Sequence, residues 1–256
     1  MAYSLGIDIG SVTSKGVIVD GNEIVAHTVI PSGMNYREAA NRLRDDLREK
    51  SRISFEDIRS IASTGQGADR VKFSQKKIDN IRCCARGIRS VFESVKTVID
   101  VQGQLSQVIR INEHGRVSGF VVSEKCAAGS GRFLQIIANI LRVDLNDIGE
   151  LSLRAQNPVT FTTGCAVFSE SEAISRVSEG FSKEDILAGV HRSIANKISV
   201  LVDRIGMEQE VAITGGGGLD IGLIAAIEEK VGITLKVPDN PQIITALGAA
   251  IMAAEV

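Results

Sequence analysis

The sequence has no tryptophan, and only 4% of its residues are aromatic. Aliphatic side chains therefore carry the core, and stacking of bases on aromatic rings is not its working mode. Cysteine is scarce as well, at four in 256 residues. That is too few for a disulfide scaffold in a chain of this length. No run of about 18 apolar residues occurs, which excludes a membrane-spanning helix. No basic block stands out and the formal net charge is −2, which argues against nucleic acid as the main ligand. Residues 1–8 lack a basic segment followed by a long apolar one, so no secretory signal is expected there. These absences lead to the expectation of a cytoplasmic protein. No Pro/Ser-rich linker appears, so any domain boundary is a hinge inside a compact body.

What is present is an ordinary globular balance of 44% hydrophobic and 23% charged residues. The length is enough for one large or two medium domains with buried cores. Residues 4–20 begin with Ile7 and Ile9 alternating with Gly6, Asp8 and Gly10. A second strand is expected over 16–20 and a third over 23–29, which makes a three-stranded meander. The turn between the first two holds Gly10, Ser11, Thr13, Ser14 and Lys15. Small residues let backbone N–H groups approach a phosphate, hydroxyls add donors, and Lys15 adds charge. Asp8, at the strand end beside that turn, is placed to hold Mg²⁺ through water. A plain hairpin with a polar turn is the alternative.

The same order recurs later. Asp100-Val101-Gln102-Gly103-Gln104 ends a strand and is followed by strands over 108–112 and 117–122. Two similar sheet domains, each offering an aspartate and a glycine turn to one cleft, are the expectation. Between the repeats, residues 36–50 form a charged amphipathic helix with Ala39, Ala40, Leu43 and Leu47 inward. Residues 58–64 form a strand ending in a possible ligand-side turn, 63–67. Cys83 and Cys84 point in different directions and are read as structural. Helices are expected over 146–152, 182–206, 221–231 and 245–254. A strand over 210–214 runs into Gly215, Gly216, Gly217 and Gly218, where a flat ring or phosphate can lie against backbone. Val237-Pro238-Asp239 closes a further short strand. His191 reads as a packing or surface residue, and His27 and His114 receive no role.

Two further stretches, KCAAGSGRF at 125–133 and TTGCAVF at 162–168, each set one cysteine among small residues ahead of an amphipathic run. Phe133, Ile136, Ile137, Ile140 and Leu141 share one helical face after the first. Val167, Ala173, Ile174 and Val177 repeat this more weakly after the second. Each cysteine is therefore expected at or near a helix start, where open N–H groups and the macrodipole favour a thiolate or an anionic cluster.

Together the turns over 6–15, 100–104 and 214–218 resemble the sugar kinase/Hsp70/actin superfamily. This implies an α/β fold of two RNase H-like domains around a nucleotide cleft. The domains are expected at 1–97 and 98–242, with the last helix, about 243–256, packing back on the first. The cysteine segments look like those of the BadF/BadG/BcrA/BcrD ATPase family, and within it the activators (reductase components) of 2-hydroxyacyl-CoA dehydratases. The resemblance implies ATP/ADP, Mg²⁺ and one [4Fe–4S] cluster per homodimer, with Cys126 and Cys165 of each copy as its ligands. A cubane needs four thiolates and a two-fold axis supplies the second pair. Asp8 and Asp100 would hold Mg²⁺; Gly10, Ser11, Thr13, Ser14, Lys15, Gly103 and Gln104 would line the phosphates. Gly215, Gly216 and Gly217 would carry the adenosine, and Gln104 and Asp100 are the catalytic candidates. Expected partners are an iron–sulfur dehydratase-like or double-cubane-cluster protein, and a ferredoxin or flavodoxin as electron donor. The family's second phosphate motif usually reads Asp-Ile-Gly-Gly-Gln-Asp; here Gln102 replaces a glycine and Leu105 an acid. Alternatives are an ATPase subunit of a benzoyl-CoA reductase, a cluster-free small-molecule kinase with Glu124 or Glu170 as base, and an actin-type nucleotide sensor.

Overall fold

The computed structural model describes residues 3–123, 130–162 and 166–255. Contacts divide the chain into two units: one of Met1–Val98, Ile111–Ser118 and Pro238–Val256, the other of Ile99–Arg110 and Gly119–Val237.

The first unit is built on β1 (Tyr3–Ile9), β2 (Thr13–Asp20), β3 (Glu23–Pro31), β4 (Ile58–Thr64) and β5 (Lys76–Lys77), in the order β3-β2-β1-β4-β5. β1 runs antiparallel to β2 and parallel to β4. It lies mid-sheet and is buried from Ser4 to Ile9, as a parallel-paired strand covered on both faces should be. One cover is α1 (Tyr36–Ser51), which places Ala39, Ala40, Leu43 and Leu47 inward. Asn35 starts this helix by accepting from the Arg37 and Glu38 N–H groups, the usual N-cap device. The rest comes from α2 (Asn80–Val91) and α8 (Ile244–Ala254). Their approach needs glycine. A Cβ on Gly248 would lie 1.8 Å from the Cys83 carbonyl oxygen, and one on Gly87 2.0 Å from that of Ile244.

The second unit carries β6 (Thr97–Val101), β7 (Ser106–Ile111), β8 (Val117–Val122), β9 (Val211–Gly215) and β10 (Leu235–Lys236), in the order β10-β9-β6-β7-β8. Read from the other edge, this is the order of the first sheet. Its core joins Ile99, Val101, Val108, Val211 and Ile213 to helices α3 (Gly131–Leu141), α4 (Ile148–Ser152), α6 (Lys183–Ile205) and α7 (Ile221–Val231). Helix α5 (Ala166–Ser178) buries Ala173 and Ser169 but exposes Ile174 and Val177. The weak apolar stripe expected there is therefore not one inward face.

The sequence reading differs in two further places. Residues 80–91 form a helix, and residues 76–77 a two-residue strand, where neither was expected. The short strand that residues 237–239 close is Leu235–Lys236.

Candidate functional site

Strand pairing sets Asp8 opposite Lys15 on β2 and Thr64 on β4. Lys15 Nζ donates to Asp8 Oδ2 at 3.1 Å, with both side chains largely buried. Gly65 follows β4 with φ +84°, and a Cβ there would fall 2.3 Å from Asp8 Oδ1. Only glycine takes this left-handed backbone at no steric cost while leaving the carboxylate room. The β1–β2 turn closes with the Gly10 N–H on the Thr13 carbonyl at 3.2 Å. Gly10, Ser11 and Thr13 are half-buried at its rim. Ser14 turns the other way: it is fully buried, 2.7 Å from Ser32 Oγ, which in turn donates to the Gly10 carbonyl at 2.7 Å. Strand alternation sends Ser14 inward once Thr13 faces out. Its hydroxyl therefore braces the turn from behind rather than facing a ligand.

In the second unit Asp100 is 1% exposed. Its Oδ2 accepts from Gln102 Nε2 at 2.6 Å and from Gln107 Nε2 at 2.8 Å. Gln104 is exposed at the tip of the turn, with half-buried Gly103 beside it. The turn is tight, because the Gln102 N–H reaches the Leu105 carbonyl at 2.9 Å. Gln102, one of the two departures from the family pattern, thus holds the carboxylate. Gly215 ends β9 with φ +78°, and a Cβ there would lie 2.7 Å from Asp100 Oδ1 and 2.3 Å from the Val101 carbonyl. A Cβ on Gly217 would meet Val101 at 2.6 Å. Two of the four glycines are accordingly demanded by the neighbouring strand, while Gly216 is exposed. The tract forms a 3₁₀ turn, 216–219, rather than a flexible loop.

Asp220 follows that turn and caps α7, its Oδ1 accepting from the Gly222 and Leu223 N–H groups at 3.0 and 3.1 Å. Its Oδ2 faces His191 Nε2 at 2.9 Å, as an ion-pair contact without the alignment of a hydrogen bond. His191 Nδ1 lies 2.9 Å from Ser152 Oγ, whose hydrogen goes to the Gly149 carbonyl at 2.8 Å. The histidine is a buried tie joining α4, α6 and α7, not a surface residue.

Cys126 and Cys165 lie outside the described residues, as does Glu124; Glu170 is exposed on α5. Around the cysteines the flanks are defined. Cys165 directly precedes Ala166, the first residue of α5. The Thr162 N–H and hydroxyl reach the Glu172 carboxylate at 3.0 and 3.2 Å, and Arg176 stands 3.5 Å from that carboxylate. For α3 the open N–H groups expected at a helix start are already used. Gly131 N–H donates to the Gln102 carbonyl and Arg132 N–H to the Gly103 carbonyl, both at 2.9 Å. The start of α3 is clasped by the Asp100 turn, so these two amides do not serve an anion. Cys83 and Cys84 are buried thiols on α2. Burial pushes the Cys83 thiol up to about 12, which leaves it a neutral packing residue at ordinary pH.

Sequence reasoning missed Gln107 and the Ser152–His191–Asp220 tie. A signal existed for the first: Gln107 stands as far beyond Asp100 as Lys15 beyond Asp8, seven residues in each case.

Residues 5–253 match the BadF/BadG/BcrA/BcrD ATPase family, and the chain belongs to it. It is 40% identical over 252 residues to a 2-hydroxyisocaproyl-CoA dehydratase activator of Clostridioides difficile, spanning 98% of this chain and 94% of that protein. The solved activator of 2-hydroxyisocaproyl-CoA dehydratase from Clostridium difficile with bound ADPNP superposes with a TM-score of 0.95 at 39% identity, covering 99% of this chain and 94% of that one. A benzoyl-CoA reductase subunit from Thauera aromatica is 30% identical over 266 residues, 99% of this chain and 94% of that protein. A ROK family glucokinase from Streptomyces griseus shares the fold alone, with a TM-score of 0.62 at 13% identity and complete coverage of both chains. The α/β fold is thus that of the actin/Hsp70/sugar-kinase superfamily.

Proposed function

We propose that this protein hydrolyses ATP to drive one electron, at very low potential, into a partner iron–sulfur enzyme of the 2-hydroxyacyl-CoA dehydratase or double-cubane-cluster kind. The observation that carries the reading is 40% identity to a dehydratase activator over 98% of the chain. The similarity to the benzoyl-CoA reductase protein stands at 30%, so the activator reading comes first.

The chain's residues fit the parts this requires. Gly10, Ser11 and Thr13 would offer backbone and hydroxyl donors to phosphate oxygens, and Lys15 would bring a cation. Asp100, with Gly103 beside it, and Asp8 would hold Mg²⁺ through its water shell. Gln104, exposed at the turn tip, would orient the attacking water. Gly215, Gly216 and Gly217 would take the adenosine on the backbone held in place by Asp220 and His191. Mg²⁺, when bound, neutralises phosphate charge; the [4Fe–4S] cluster, when bound, supplies the one-electron step. Cys126 and Cys165 from each of two copies would give the four thiolates of that cluster. A ferredoxin or flavodoxin would reload it.

The test is purification without oxygen followed by iron and sulfide analysis. The expected content is about four irons per dimer, falling to near none in Cys126→Ala and in Cys165→Ala. An iron-free dimer that still hydrolyses ATP would point to the cluster-free alternative of the same fold.

A further inference from the structure

One residue of the β6–β7 turn carries two different attachments. The Gln102 side chain donates to Asp100 Oδ2 at 2.6 Å. Its carbonyl accepts the Gly131 N–H at 2.9 Å, and the adjoining Gly103 carbonyl accepts the Arg132 N–H at 2.9 Å. Gly131 and Arg132 are the first residues of α3. Ser130, in the N-cap position, makes no side-chain cap bond to that helix. The two turn carbonyls therefore satisfy amides that a helix leaves open at its start. The contact is close as well as bonded, for a Cβ on Gly131 would lie 3.4 Å from the Gln102 carbonyl oxygen. The Gln102 N–H is also held, by the Leu105 carbonyl at 2.9 Å, so its side chain, N–H and carbonyl are all bonded within this unit.

We propose that Gln102 is a positioning residue that transmits what is bound at Asp100 to the start of α3, the helix that follows the Cys126 segment. The proposal rests on the reading of Asp100 as a nucleotide-side carboxylate. A Mg²⁺-bound water that engages Asp100 competes with the amides on its Oδ2. The Gln102 side chain responds, and its carbonyl carries the change to the Gly131 amide. Gln107 donates to the same oxygen from β7, and its place in that strand rather than in the turn makes it the internal comparison.

The experiment is hydrogen exchange on the full chain, followed through peptides covering residues 130–141, without nucleotide, with Mg·ADP and with Mg·ADPNP. Binding isotherms for both nucleotides are measured alongside. In the wild-type chain, exchange at the start of α3 should differ between the two nucleotides by about tenfold, the scale of one hydrogen bond to a charged group. Gln102→Met keeps the side-chain length and removes the donor; it should abolish that difference in a chain whose isotherms, measured at saturating nucleotide, still show both nucleotides bound. Gln107→Met should retain the difference. The proposal is overturned if Gln102→Met keeps the nucleotide-dependent difference, or if both variants lose it equally. A wild-type chain that binds both nucleotides yet shows no change at 130–141 overturns it without any variant. A wild-type chain with no binding isotherm removes the underlying nucleotide reading instead, and this proposal with it.

Discussion

In the first sheet Asp8 meets Lys15, and in the second Asp100 meets Gln107, each partner seven residues further along the chain. Both aspartates also lie against a glycine of positive φ that follows a buried threonine: Thr64-Gly65 and Thr214-Gly215. A short 3₁₀ turn comes after each glycine, at Ala68–Arg70 and Gly216–Leu219. The halves thus repeat one arrangement and differ in the partner they bring to it. A lysine pairs with Asp8, whereas the side-chain amides of Gln102 and Gln107 donate to Asp100. On the reading proposed above, Asp100 would be the better centre for a divalent cation, and Asp8 would become available to one only when Lys15 is drawn to a phosphate.

The halves also differ in what anchors the glycine turn. The second unit adds the buried Asp220–His191–Ser152 tie. His191→Ala should have the largest effect on stability, about 2 to 4 kcal/mol, because it empties a buried site and removes the neighbour of the Asp220 carboxylate and the Ser152 hydroxyl. Chemical denaturation monitored by circular dichroism measures this, and a loss near zero would show the tie to be dispensable.

The difference in partner is tested by Asp100→Asn against Asp8→Asn. Loss of the amide-bound carboxylate of Asp100 should lower ATP hydrolysis by on the order of a hundredfold, and loss of the lysine-paired one by clearly less. Equal losses in steady-state assays would break the comparison. Gly65→Ala and Gly215→Ala should each cost about 1 to 3 kcal/mol, since both force a side chain into left-handed backbone against a carboxylate. Here the halves should behave alike, as thermal melts of the two variants would report. The smallest change is Gln107→Lys, which gives the second half the charge pattern of the first. It should weaken Mg²⁺-dependent nucleotide binding by about tenfold, a shift of about 1.4 kcal/mol, measured by titrating Mg²⁺ at fixed ATP.

Much of this frame was legible in the residues. Isoleucine and valine runs broken by Asp-Gly and Gly-rich turns marked the strands of both halves, and their repeated order announced two sheets. Helix α2 does carry a period, since Ile81, Cys84, Ala85 and Ile88 stand three and four apart and are buried. It was passed over because the adjacent cysteines were weighed for metal binding rather than for spacing. Ser14 looked like a phosphate donor because turn composition does not reveal which way a strand's first residues alternate. The use of the first α3 amides was invisible for a different reason. Gln102 and Gly131 are far apart in sequence, and a main-chain bond between them leaves no compositional trace. Gln102, which read as a departure from the family pattern, acquires a role only when its side chain is seen on Asp100.

The central claim joins a nucleotide turn to a cysteine-bearing segment that feeds electrons to a partner. It is tested most directly by electron paramagnetic resonance of the reduced, oxygen-free protein with Mg·ADP and then with Mg·ATP. The account predicts an iron–sulfur signal whose line shape changes with the nucleotide. A signal identical in both states, or none at all, would contradict it.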